Sequence, residues 1–178
     1  DIATMKMCTW MAALLLGCVG MTVEAQAPSL DVDIAGVLGH NLGDKFTRHH
    51  QVVDVMTHLA EARPHWQLEH YGSTTEGRPL LGLVMSCEEN MANLDALREA
   101  NRRRVAEGVD SGDRVVWVYL SYNVHGNEPS STEAAMQVAY RLAAGQDAET
   151  MRMLDESVVI IDPCINPDGR DRYTYWYT

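Results

Sequence analysis

Two uninterrupted apolar runs constrain this chain more than any other feature: Val115-Val116-Trp117-Val118-Tyr119-Leu120 and Val158-Val159-Ile160-Ile161. Each is short and flanked by loop-forming residues, which is the pattern of a strand buried on both faces. Between them, Ser130-Ser131-Thr132-Glu133 follows Pro129 with the spacing of a capping box. It opens a helix that buries Ala134, Ala135, Val138, Ala139 and Leu142. A shorter helix is expected from Asp147 to Glu156. Strand, helix and strand within one sheet make a right-handed crossover with the two strands parallel. The expected fold class is therefore α/β: a mixed, mostly parallel sheet with helices on both faces.

Upstream, Val52, Val53, Val55, Met56, Leu59 and Ala60 fall on one side of a helical wheel, predicting an amphipathic helix from Phe46 to Ala62 that Pro64 stops. Trp66 to Ser73 and Pro79 to Ser86 carry strand-forming residues around the turn Thr74-Thr75-Glu76-Gly77-Arg78, the pattern of an antiparallel hairpin. Leu94 to Glu107 reads as a helix, followed by a loop from Gly108 to Gly112.

At 178 residues, 46% hydrophobic and 22% charged, the chain has the make-up of one globular domain. The formal net charge of −11 argues against a nucleic-acid or anionic-membrane surface. The one dense basic run, Arg102 to Arg104, reads as a solvated helix face. Lys6, the apolar stretch Trp10 to Met21 and Ala25-Gln26-Ala27 together form a secretory signal with cleavage after Ala27. That assigns residues 1–27 to a leader and 28–178 to the mature domain, exported to the periplasm or beyond. The apolar stretch is shorter than the roughly 20 residues a spanning helix needs, so no membrane span is expected. Leu15-Leu16-Gly17-Cys18 is a rival lipoprotein box in which Cys18 would be acylated. Asp1 to Thr4 precede the first plausible start, Met5, and the aromatic run from Tyr173 stops without a turn signal, so a fragmentary gene is expected. Export would leave two cysteines, Cys87 and Cys164, whose pairing spacing alone does not decide.

In open sheets of this kind, ligands bind beyond the carboxyl ends of the parallel strands. Those ends carry Asn123-Val124-His125-Gly126-Asn127-Glu128 and Asp162-Pro163-Cys164-Ile165-Asn166-Pro167-Asp168-Gly169-Arg170. If the strands are neighbours, the two loops face each other. His125 and Glu128, three apart, can turn a ring nitrogen and a carboxylate oxygen toward one point, and such a pair plus a further histidine makes a catalytic zinc site. The spacing recurs in His58 and Glu61, which fall opposite the apolar face of their helix and read as solvated. Taken alone, the first pair also fits a helix-start carboxylate beside a loop histidine.

HGNEPSS and NPDGR at the ends of consecutive buried strands, with EGRPL in the preceding hairpin, resemble the zinc carboxypeptidase family over roughly Phe46 to the end of the chain. The resemblance implies a Zn²⁺-dependent metallocarboxypeptidase acting on peptide or protein substrates, with His125 and Glu128 as its first two metal ligands. Asn166, Asp168 and Gly169 of the NPDG loop, with Arg170 beside them, would line the substrate cleft without binding metal. Asn127 matches a site where some members place a substrate-contacting arginine. The family's third ligand, its general-base glutamate and its substrate-gripping arginine and tyrosine are expected beyond residue 178, which leaves the catalytic base unassigned in this chain. His40, His49, His50, His58, His65 and His70 all lie upstream of the motif. By this reading the chain is the N-terminal part of the catalytic domain, truncated at its C-terminus and inactive alone. An acylamino-acid deacylase and a murein-peptide amidase of the same superfamily fit the same ligand pair, and a metal-free binding module is the rival from another class.

Overall fold

The computed structural model describes residues 32–109, 112 and 115–178. The leader assigned to residues 1–27, Cys18 included, lies outside the described residues. The elements in chain order are α1 (Ile34–Leu38), α2 (His49–Ala62), β1 (Gln67–Ser73), β2 (Pro79–Met85), α3 (Glu88–Ala92), α4 (Leu94–Glu107), β3 (Val116–Ser121), α5 (Ser130–Ala144), α6 (Ala148–Glu156), β4 (Ser157–Asp162) and α7 (Pro167–Tyr177).

The strands form one sheet in the order β1-β2-β4-β3. The hairpin β1–β2 is antiparallel, β2 pairs antiparallel with β4, and β3 pairs parallel with β4 from Val116↔Ser157 to Ser121↔Asp162. The α/β class and the crossover stand. Among the described strands, however, one neighbouring pair is parallel and two are antiparallel, because the crossover strand inserts between β3 and the hairpin. The sheet is therefore mixed without being mostly parallel.

Side chains alternate across a strand, and β2 and β4 use both faces. On one side Leu81, Leu83, Met85, Val159 and Ile161 pack with Val52, Val55, Met56 and Leu59 of α2 and with Ala135, Met136 and Ala139 of α5. On the other, Val84 and Val158 pack with Met91 and Leu94 beneath α3 and α4. The helix predicted from Phe46 begins at His49, where the Asp171 carboxylate accepts from its first backbone N–H at 3.0 Å.

Three local readings are corrected. β3, read as buried on both faces, is an edge strand of the described sheet, with Val116 57% and Tyr119 58% exposed. Apolar continuity records the burial a strand is suited to, not which neighbour supplies it. Ser130 does not cap α5: the cap position is Pro129, which makes no side-chain cap bond. Glu133 instead accepts from Thr47 N at 2.7 Å and Thr47 Oγ1 at 2.8 Å. The NPDG segment is not a loop. Asn166 caps α7, accepting from Gly169 N at 3.0 Å, and Pro167 occupies the first turn, where its missing N–H is no loss. The aromatic run that follows continues this helix, with Tyr175, Trp176 and Tyr177 exposed.

Candidate metal centre

The parallel pairing of β3 and β4 brings the two polar segments together at one end of the sheet. Tyr122 N donates to Asp162 O and Ile165 N to Tyr122 O, both at 3.0 Å, carrying the pairing one step past the strands. Asn166 Nδ2 then donates to Val124 O at 3.1 Å. Gly126 packs directly on Gly169: a Cβ at position 126 would lie 2.1 Å from Gly169 C. No side chain fits there, so glycine is required for contact and not for a special φ.

His125 and Glu128 sit on the turn this contact holds, closed by Glu128 N donating to His125 O at 3.0 Å. Their side chains converge, with Nδ1 3.3 Å from Oε1, and are open to solvent at 71% and 59% exposure. Two donors each about 2.0–2.1 Å from a tetrahedral ion are separated by about 3.3 Å, so the pair fits two corners of a zinc site. It equally serves as an ion pair when the imidazole is protonated. Among the described residues no group of three His, Cys, Asp or Glu side chains converges, so the chain supplies two donors here. His58 and Glu61 do not repeat the arrangement. Glu61 is exposed, but His58, expected to be solvated, is half-buried with Nε2 enclosed and making no hydrogen bond.

Beneath the turn lies a buried polar cluster. Asn123, 2% exposed and in the left-handed region at φ 55°, donates through Nδ2 to His125 O at 2.7 Å and Glu128 O at 3.2 Å. Its Oδ1 accepts from Thr132 Oγ1 at 3.2 Å and from the Cys164 thiol at 3.4 Å. Burial pushes that thiol up to about 11 and keeps it protonated, and both Cys164 and Cys87 are free.

The cleft residues expected from the motif divide. Asn127 is exposed between the two candidate ligands. Asn166 and Gly169 join the segments, as described. Asp168 faces the hairpin turn, accepting from Thr74 Oγ1 and Arg78 Nη1 at 2.7 Å and Glu76 N at 3.3 Å. Burial opposes its charge, but the Thr74, Arg78 and Glu76 donors outweigh it and hold the carboxyl below its usual range. Arg170 does not line a cleft. Its side chain is fully buried, donating to Thr47 O through Nε at 3.1 Å and Nη2 at 2.8 Å, to Pro129 O at 2.5 Å and to Glu133 Oε1 at 2.6 Å. With its second Nη1 hydrogen turned to Asn123 Oδ1 at 3.5 Å, all five donors of the guanidinium fork are engaged within the protein and none is left over for substrate.

Sequence reasoning missed Asn123, Glu133, Arg78 and Asp171 as parts of this support. Arg78 Nε donates to Asp171 at 2.8 Å, so one arginine holds both carboxylates that flank Arg170 in sequence. The one available signal was an asparagine placed where the chain must leave a strand and reverse. A second polar group closes the far side of the sheet end: Tyr71, at a register break in β1, and Tyr119 both donate to the buried Asp162 carboxylate. Burial, reinforced by that carboxylate, raises the Tyr71 phenol well above its ordinary value.

No curated protein matches the sequence. Among solved structures, a carboxypeptidase A from Helicoverpa armigera is 18% identical with a TM-score of 0.56, covering 79% of this chain and 34% of that one. A metallo-carboxypeptidase from Burkholderia cenocepacia is 18% identical with a TM-score of 0.53, over 70% and 28%. Bovine thrombin-activatable fibrinolysis inhibitor, in complex with tick carboxypeptidase inhibitor, is 17% identical with a TM-score of 0.51, over 74% and 34%. At these identities the likeness establishes the fold, and the chain spans only 28–34% of the length of these structures. The model of the zinc carboxypeptidase family matches residues 52–178. That span takes in most of the chain and both converging segments, and the chain belongs to the zinc carboxypeptidase family.

Proposed function

We propose that this chain supplies two zinc ligands, His125 and Glu128, to an exported metallocarboxypeptidase that hydrolyses C-terminal peptide bonds of peptides or proteins. One observation carries the reading: Nδ1 and Oε1 stand 3.3 Å apart, open to solvent, at the carboxyl end of a parallel strand pair. The chemistry supplied by a bound zinc ion is polarisation of the scissile carbonyl and activation of water at neutral pH. The chain's own part is to present both donors at fixed separation and to leave the side facing solvent open for substrate. Asn127, exposed between them, is the residue here that a substrate would meet. A catalytic zinc site also takes a third protein ligand and a proton-accepting carboxylate, and among the described residues no third donor joins His125 and Glu128. Export with removal of residues 1–27 is supported by Lys6, the apolar stretch and Ala25-Gln26-Ala27. Among the described residues, no helix is long and apolar enough to cross a membrane.

The test is zinc stoichiometry of the full-length gene product. His125→Ala removes one of only three protein bonds expected to the ion and abolishes stoichiometric zinc, whereas His58→Ala leaves it unchanged. Equal zinc retention by the two variants refutes the assignment.

A further inference from the structure

We infer that Asn123 is a positioning residue for the metal centre: its side-chain amide sets the spacing of the two ligands by holding both of their backbone carbonyls. The inference rests on the zinc reading of His125 and Glu128.

The geometry allows one orientation of this amide. One end faces two acceptors, His125 O at 2.7 Å and Glu128 O at 3.2 Å, so it must be the NH₂. The other faces the Thr132 hydroxyl at 3.2 Å and the Cys164 thiol at 3.4 Å, with Arg170 Nη1 at 3.5 Å, so it must be the oxygen. Both NH₂ hydrogens go to the carbonyls of the two candidate ligands, and the oxygen ties that pair to α5 and to the segment after β4. At 2% exposure no water competes for these bonds.

The backbone narrows the choice of residue. At φ 55° a residue with a Cβ is disfavoured, and asparagine is among the few that tolerate the region. Glycine would be easier for the backbone but removes the side-chain donor shared by the two carbonyls, leaving His125 O only the Glu128 N–H and Glu128 O only the N–H and hydroxyl of Ser131, bonds that do not tie one carbonyl to the other. Aspartate keeps the shape yet sets a carboxylate oxygen against two carbonyl oxygens. Only asparagine meets the conformational demand while donating twice and accepting on its other side. Groups that orient metal ligands in this way typically change metal affinity by roughly 10- to 100-fold when removed.

Asn123→Gly is the informative variant, because it removes the amide without adding backbone strain. In the full-length gene product, Zn²⁺ affinity is measured by competition with a chromophoric chelator, alongside the Tm of the zinc-free protein and the visible spectrum of the Co²⁺-substituted protein. The expected result is Zn²⁺ binding weaker by roughly 10- to 100-fold, a changed Co²⁺ spectrum, and a zinc-free Tm within about 4 °C of wild type. Asn123→Asp should lose affinity similarly. Wild-type affinity in Asn123→Gly overturns the inference and leaves the zinc reading intact. A large fall in zinc-free Tm in both variants, with Zn²⁺ affinity per folded molecule unchanged, assigns Asn123 to the scaffold alone and also overturns it. A wild-type protein that takes up no Zn²⁺, or a His125→Ala variant that binds as wild type does, overturns the zinc reading itself.

Discussion

Replacing Arg170 with methionine tests whether the NPDGR segment is a wall of the substrate cleft or a support. Methionine fills much of the same volume but removes a guanidinium that donates to Thr47 O twice, to Pro129 O and to Glu133. The Glu133 side chain, 11% exposed, would keep only its two bonds from Thr47, and Pro129 O would lose its side-chain donor. Removing one partner of a buried ion pair costs about 3–5 kcal/mol, because the other charge stays buried without compensation. A domain stable by about 5–15 kcal/mol survives that loss in most of the range. At an m-value near 2 kcal/mol/M, the urea midpoint should fall by about 1.5–2.5 M. Urea unfolding followed by circular dichroism, on wild type, Arg170→Met, Glu133→Gln and the double variant, reads both the loss and the coupling. The double variant should be less unstable than the two single effects added together, since each single change orphans the other group. An Arg170→Met midpoint matching wild type, combined with weakened substrate binding, would refute the buried role and restore the cleft assignment.

Two further outcomes rest on the same geometry and a third on the sequence of the leader. Gly126→Ala sets a Cβ 2.1 Å from the Gly169 carbonyl carbon, and backbone cannot yield there as a flexible side chain could; stability should fall by about 1–3 kcal/mol or more and zinc affinity with it, read by thermal unfolding and metal titration. His49, 2% exposed, donates from Nε2 to Pro79 O at 2.8 Å while its Nδ1 is buried without a partner, and burial, only partly opposed by the Pro79 carbonyl and Asp171, lowers its pKa. The unfolded chain therefore binds the proton more readily: His49's contribution is fully present above about pH 6.5 and is lost as pH falls from there toward the depressed folded value, by at most about 1.4 kcal/mol per pH unit. His49→Gln keeps a donor for Pro79 and should flatten that part of the stability–pH curve; an unchanged slope would exclude His49 as its source. For the leader, mass spectrometry of the exported product should find Pro28 at the N-terminus, and an acylated Cys18 would promote the lipoprotein alternative.

The fold was legible where burial leaves a periodic trace. β4 carries Val158 and Ile160 to one face and Val159 and Ile161 to the other, and packed helices cover both, as an unbroken apolar run requires. The hairpin and α2 were equally plain. The status of β3 was not, since the same kind of run sits here at an edge. Asn-Pro-Asp-Gly was ambiguous for a physical reason: an Asx cap followed by proline opens a turn and a helix with the same first hydrogen bond, and only the later bonds distinguish them. Arg170 was misread because arginines are almost never fully buried unless paired, and its partners Thr47, Pro129 and Glu133 are scattered over the chain.

Four residues of the NPDGR segment make polar or backbone contacts with other parts of the fold. Asn166 holds Val124 O, Asp168 holds the hairpin turn at Thr74 and Arg78, Gly169 packs against Gly126, and Arg170 holds Pro129 O just after Glu128. Pro167 starts the helix that aims the last three. The contacts to Val124, Gly126 and Pro129 are to main chain, and they bracket His125 and Glu128 on both sides. Against them the side chains of the two candidate ligands contribute little to holding the turn: they are exposed, and their mutual attraction in water is worth at most about 1 kcal/mol. The turn's shape is therefore fixed from beneath, by Asn123 and the NPDGR segment, while its outer surface presents the two candidate ligands to solvent. On that division, changes at Gly169 or Arg170 should act first on stability and on ligand spacing, and changes at His125 or Glu128 on metal binding with little effect on the fold.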